Sequence, residues 1–126
     1  MRIAIISHSI VRISGLIMLI LGLIIWTGNA DFLVPVHILI GAVLVIALWT
    51  LCYAAVRSGV LKGLVITVVI LGLVLPAWGL AQQQILTDAN HWIIQVLHLL
   101  LGVAAVGMGE MLAARMKKAN VKSANA

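Results

Sequence analysis

An all-α integral membrane protein, four transmembrane helices in an up-down-up-down bundle, is the fold class predicted by three observations. First, of 126 residues 64% are hydrophobic and only 9% charged, and a mean hydropathy of +1.26 lies far outside the range of a soluble domain. Second, four apolar runs each reach the roughly 20 residues that a helix needs to cross hydrocarbon. Third, the basic side chains are distributed asymmetrically. Arg2, Arg57, Lys62, Arg115, Lys117, Lys118 and Lys122 all fall on one side of an alternating four-span trace, and Arg12 lies within the first span near that side. The other side has none, which is the positive-inside pattern and predicts that both termini are cytoplasmic.

The runs predict spans at about 3–26, 34–56, 60–80 and 89–114, forming a single transmembrane domain over 1–126. The first is read as a retained span, because its apolar stretch exceeds that of a cleaved leader. Thr27-Gly28-Asn29-Ala30-Asp31 is a turn-forming polar cluster that ends it. Pro35 suits the first turn of the second helix. Short connections make neighbouring helices antiparallel. Thr87 or Asp88 is expected to cap the fourth helix. Trp26, Phe32, Trp78 and Trp92 fall where an outer aromatic belt belongs, with Tyr53 at the inner boundary. The polar, basic tail 116–126 is expected to fray into solvent.

The net charge of +5 and a pI near 10.2 are accounted for by membrane topology and by attraction to anionic headgroups of the lipid bilayer. No nucleic acid is implied. The one cysteine, Cys52, provides neither a disulfide framework nor metal-ligand spacing. With no carboxylate pair, nucleophile triad or Cys/His metal spacing, a soluble hydrolase, a nuclease and a zinc site are disfavoured.

Function therefore falls to the intramembrane polar side chains: His8 and Arg12 in the first helix, His37 in the second, and Gln95, His98 and Glu110 in the fourth, with His91 at that helix's outer edge. Ionisable groups in hydrocarbon are costly unless paired or ligated, which makes them functional candidates. Heptad spacing gathers several of them onto shared faces. His91, His98 and Ala105 form one stripe, with Gln95, Gly102 and Gly109 beside it; His8, Gly15 and Gly22 form another; and His37 stands one turn from Gly41.

Glycine beside an inward histidine makes the room that a haem macrocycle needs while histidine nitrogens take its axial positions. The same glycines also suit close helix packing without any cofactor. Candidate metal and cofactor ligands are thus His37, His98, His91 and His8, with Gly41, Gly102, Gly15 and Arg12 around them. Counted from the outer helix starts, His37 matches His91 in depth; counted from the inner anchors Arg57 and Arg115, it matches His98. The second pairing is favoured, since His91 beside Trp92 suits the wet interface. His8 lies near the inner end with no histidine at its level, where with Arg12 it can hold a propionate, bind a quinone carbonyl or pair with Glu110.

This pattern resembles the small four-helix membrane cytochromes b of bacteria, which include the quinol-linked superoxide oxidase and the cytochrome b subunits of hydrogenases. The resemblance rests on His8 followed by an apolar run ending Trp26-Thr27-Gly28, on His37-Ile38-Leu39-Ile40-Gly41 opening the second helix, and on paired histidines in the fourth. It implies a bacterial cytoplasmic (inner) membrane protein that transfers electrons through haem b, with a quinone or a membrane redox complex as partner. It implies an outer haem between the second and fourth helices, matched by His37 with His91 or His98, and an inner one between the first and fourth. Two heptads beyond His91 and His98, however, stand Ala105 and Leu112, so one haem is expected rather than two. Gln95, the run Gln82 to Gln84 and His91 are candidates for hydrogen bonding to the quinone. A small proton-coupled transporter built on Glu110 and Arg12, a homo-oligomer, and an accessory subunit of a larger membrane complex are the alternatives.

Overall fold

The computed structural model describes residues 2–125, and its regular structure is helical throughout. Helix α1 runs Arg2–Trp26, α2 Val34–Arg57, α3 Lys62–Ala81 and α4 His91–Ala124, with short 3-10 turns at Asp31–Leu33 and Gln82–Gln84. All four helices are long and apolar enough to cross a membrane.

The chain reverses after α2 through a backbone pattern in which the Gly59 N–H donates to the Val56 carbonyl and the Val60 N–H to the Ala55 carbonyl, each at 3.1 Å. This is a Schellman closure, and it requires a left-handed residue just past the helix. Gly59 supplies it at φ +72. Val60 is thereby drawn into the closure, so α3 begins at Lys62, two positions later than the hydropathy run. We expect Gly59→Ala to lower stability by about 1 kcal/mol, the cost of a Cβ in that conformation, checked by denaturant titration in micelles.

Other boundaries also differ from the sequence expectation. Neither Thr87 nor Asp88 caps α4 through its side chain: Asn90 precedes the helix without a side-chain cap bond, and the Asp88 carbonyl accepts the His91 N–H at 3.0 Å. The tail expected to fray from 116 is instead helical to Ala124. No glycine or proline interrupts it beyond Gly109, and Ala113, Ala114, Met116, Lys117, Lys118 and Ala119 are favourable helix formers. Hydropathy locates where a helix leaves an apolar environment, which is a different point from where it stops.

Contacts between helices fix their directions. Gly41 of α2 lies against Met18 of α1, and Gly72 of α3 against Trp49 of α2. The Trp78 indole of α3 donates to the Ile94 carbonyl of α4 at 3.4 Å. Gly15 and Gly109 bring α1 and α4 together, the first against Val106 and the second against Val11. Successive helices are antiparallel, and α4 returns to α1. Hydroxyls of Ser9, Ser14, Thr50 and Thr67 donate to carbonyls one turn back in their own helices, so these polar groups are satisfied locally.

Packing is uneven along the bundle. Arg2 begins α1, Arg57 ends α2 and Lys62 begins α3, which places these basic residues and the basic last third of α4 at one end. The half nearer that end is filled by Val11, Leu48, Leu51, Cys52, Ala55, Val65, Val68, Ala105, Leu112 and Met116, all buried. In the opposite half, the helices bury only Leu75 and Ile94 among the described residues beyond Ser14 in α1 and before Leu44 in α2.

Candidate functional site

The half with few fully buried side chains contains His37 and His98. Their ring centroids are 6.2 Å apart with planes inclined at 50°. Each helix contributes to this layer. A Cβ on Gly22 of α1 would lie 3.6 Å from His37 Cε1, and a Cβ on Gly79 of α3 would lie 3.1 Å from His98 Cε1. The layer thus holds two imidazoles from α2 and α4 and two glycines from α1 and α3. The antiparallel registers bring these four positions to one depth.

The rings are half-buried, and the Nδ1 atom of each is buried without a hydrogen-bond partner. Leaving such a group unsatisfied costs about 1–3 kcal/mol, which makes the pair an unfilled demand for coordination or hydrogen bonding. The separation is also suited to coordination. Metal–nitrogen bonds are about 2 Å long, so two imidazoles on opposite sides of one ion have centroids roughly 6 Å apart. Among the described residues, no group of three or more His, Cys, Asp or Glu side chains is placed to hold a metal ion. Two histidines alone suit a metal that brings its remaining ligands with it.

Of the glycines expected near the histidines, Gly102 opens onto space, with nothing within 4 Å of where its Cβ would be. It stands one turn beyond His98 on α4. Gly41, one turn from His37, is in contact with Met18, whose Cε would lie 3.1 Å from an added Cβ. Gly15 serves the α1–α4 approach: an added Cβ would be 2.6 Å from Val106 Cγ2.

His91 is apart from the pair. Its Nδ1 lies 3.2 Å from the Leu86 carbonyl and 3.4 Å from that of Ile85, where the ring N–H donates to the connection preceding its own helix. This holds in place a segment in which Leu86 adopts a left-handed φ of 49. Trp78, expected in an interfacial belt, has its N–H on the Ile94 carbonyl, joining α3 to α4 one turn from His98.

A second polar cluster sits on the other half of the bundle. Glu110 Oε1 is 2.8 Å from Arg12 Nε and 3.0 Å from His8 Nε2, so His8 is paired with the fourth helix through the carboxylate. The His8 approach is close but lacks hydrogen-bond alignment, since Nε2 is buried with no hydrogen-bond partner. By helical rise, the cluster is about 18 Å from the His37–His98 layer.

The sequence reading missed Gly79 altogether and gave Gly22 only a place on a stripe. No spacing within α3 marks Gly79, because its importance comes from facing His98 across an antiparallel pair. Aligning the helices about their connections before comparing residue types is the signal that finds it. Comparison with known protein families, characterised proteins and solved structures finds no match to this chain.

Proposed function

We propose that this chain is a multi-pass protein of the bacterial cytoplasmic membrane, with both termini cytoplasmic, that holds one haem b between His37 and His98. It carries single electrons and exchanges them with a quinone or a partner redox complex. The observation that carries the reading is the imidazole pair: two rings from facing helices, 6.2 Å between centroids, each with a buried unpartnered nitrogen. The membrane setting is supported by four apolar helices and by basic residues gathered at one end of them.

The residues present fit the group. Gly22 and Gly79 admit the two rings against the backbones of α1 and α3, Gly102 opens onto space, and few side chains in this half of the bundle are fully buried. Held by two imidazoles, a haem would supply one-electron exchange. His37 and His98 would supply those imidazoles, and the apolar helix faces around them would limit water. A single site is favoured because His8, the remaining intramembrane histidine, has Glu110 as its neighbour and no histidine at its level.

One observation favours a second reading, a small proton-coupled transporter. Glu110 is contacted by both His8 and Arg12, and intramembrane carboxylates of this kind serve proton relays. Optical spectroscopy separates the two readings. Chain purified from haem-replete cells is expected to give a sharp b-type α-band in the reduced minus oxidised spectrum and about one haem per chain by pyridine haemochrome. A folded, colourless protein overturns the haem reading and leaves the transporter, which proton flux in liposomes then tests.

A further inference from the structure

We infer that the outer seam between α1 and α4 is an interface between two copies of this chain, related by a twofold axis along the membrane normal and joined through Arg12 and Glu110. The inference rests on the membrane-spanning reading above and is independent of haem.

It begins from where the charges point. Arg12 is 65% exposed and Glu110 38% exposed, so the pair lies on the outside of the bundle. Both also lie within the apolar spans: by helical rise Arg12 stands about 15 Å beyond Arg2, and Glu110 about 7.5 Å before the inner anchor Arg115. Charged side chains at such depth face a protein interior or a water-filled cavity rather than lipid. Long basic side chains escape this constraint by reaching to the headgroups. Arg12 does not, because its Nε is held 2.8 Å from Glu110 Oε1, which fixes its head at the depth of the carboxylate.

The surrounding surface suits a close neighbour. On α4, Val103, Gly107, Glu110 and Ala114 share one stripe by helical spacing, and all are at least partly exposed. Nothing lies within 4 Å of where a Gly107 Cβ would be. Leu16, one turn from Arg12 on α1, is exposed as well. Small residues on such a stripe allow backbones to approach.

Charge selects the occupant. Arg12 and Glu110 are opposite in sign and nearly equal in depth, and a twofold axis along the membrane normal leaves depth unchanged. Each Arg12 then meets Glu110 of the partner subunit without any shift, and the four charges cancel inside protein. Hydrocarbon chains offer no such neutralisation.

The test counts copies in lipid nanodiscs by native mass spectrometry, after confirming that the chain stays with membranes through an alkaline carbonate wash. Two copies are expected. In a Cys52→Ala background, Gly107→Cys is expected to form a disulfide-linked dimer under mild oxidation, while Leu73→Cys on the exposed face of α3 is not. Arg12→Gln and Glu110→Gln are each expected to weaken association about tenfold or more, and the exchanged pair Arg12→Glu with Glu110→Arg to restore it. One copy per particle at every protein-to-lipid ratio overturns the interface while leaving the membrane reading intact, as does equal cross-linking at Leu73→Cys or a different protein occupying the seam. Release of the chain by carbonate overturns the membrane reading itself.

Discussion

His37→Ala and His98→Ala are each expected to abolish the b-type absorbance of the purified protein, leaving no measurable haem in a bundle that still folds. Neither ring is part of the packed core of the opposite half, so truncation removes a ligand without removing structural support. The pyridine haemochrome assay reads the loss, and far-ultraviolet circular dichroism reads the retained helix. Gly79→Leu is expected to act in the same direction with both histidines present. Even a Cβ there would be 3.1 Å from His98 Cε1, and the added isobutyl group forces the ring from its position. Displacing a ligand's support in this way costs about tenfold or more in binding. His91→Ala supplies the contrast: its ring N–H serves the Leu86 carbonyl, so the variant should keep its full absorbance. Loss of colour in His91→Ala together with its survival in His98→Ala would reassign the fourth-helix ligand.

Gly109→Leu is expected to have the largest effect on the bundle itself. A Cβ at this position would already be 3.1 Å from both Val11 Cγ1 and Leu48 Cδ2, and 4.0 Å from Leu51 Cδ2. Those three side chains have 0% exposure and no free volume into which to withdraw. Overpacking of this kind costs typically about 1–3 kcal/mol and occasionally more, and three helices would have to part to accommodate it. Gly63→Leu, where an added Cβ meets nothing within 4 Å, is the matched control. Unfolding titrations of both variants in mixed micelles should show a clear loss of stability for the first and little change for the second. Similar midpoints would mean that the α1–α2–α4 junction is looser than its geometry indicates.

Much of this architecture was legible in the sequence because apolar run length is a coarse and sturdy signal. Four runs gave four helices, and the polar cluster from Thr27 to Asp31 fell between the first two. The places where reading and structure part have local causes. At the α2–α3 turn, Val60 looks apolar enough to begin a helix, yet the backbone closure around Gly59 claims it. In α4, the polar tail suggests a terminus, although lysine and alanine sustain helix in water. The candidate site was legible to a different degree. Depth counting favoured His37 with His98, and these rings are neighbours. Heptad stripes, by contrast, treated glycines alike, whereas Gly15 meets Val106, Gly41 meets Met18 and Gly102 meets open space. A stripe reports which way a residue faces along one helix and says nothing of what stands opposite.

The layer formed by Gly22, His37, Gly79 and His98 draws one residue from each helix, which has a consequence for biogenesis. The first three helices can be synthesised, inserted and paired while the layer still has only one imidazole. Its second arrives with α4, the fourth of these helices to leave the ribosome. On the proposed haem reading, cofactor capture at this layer would be a late event, open only once all four helices are in place. A ligand that binds the folded state alone also stabilises it by mass action. Loading would act as a closing latch on the end of the bundle with the fewest fully buried side chains, and unloaded chains would be the ones most open to membrane proteases.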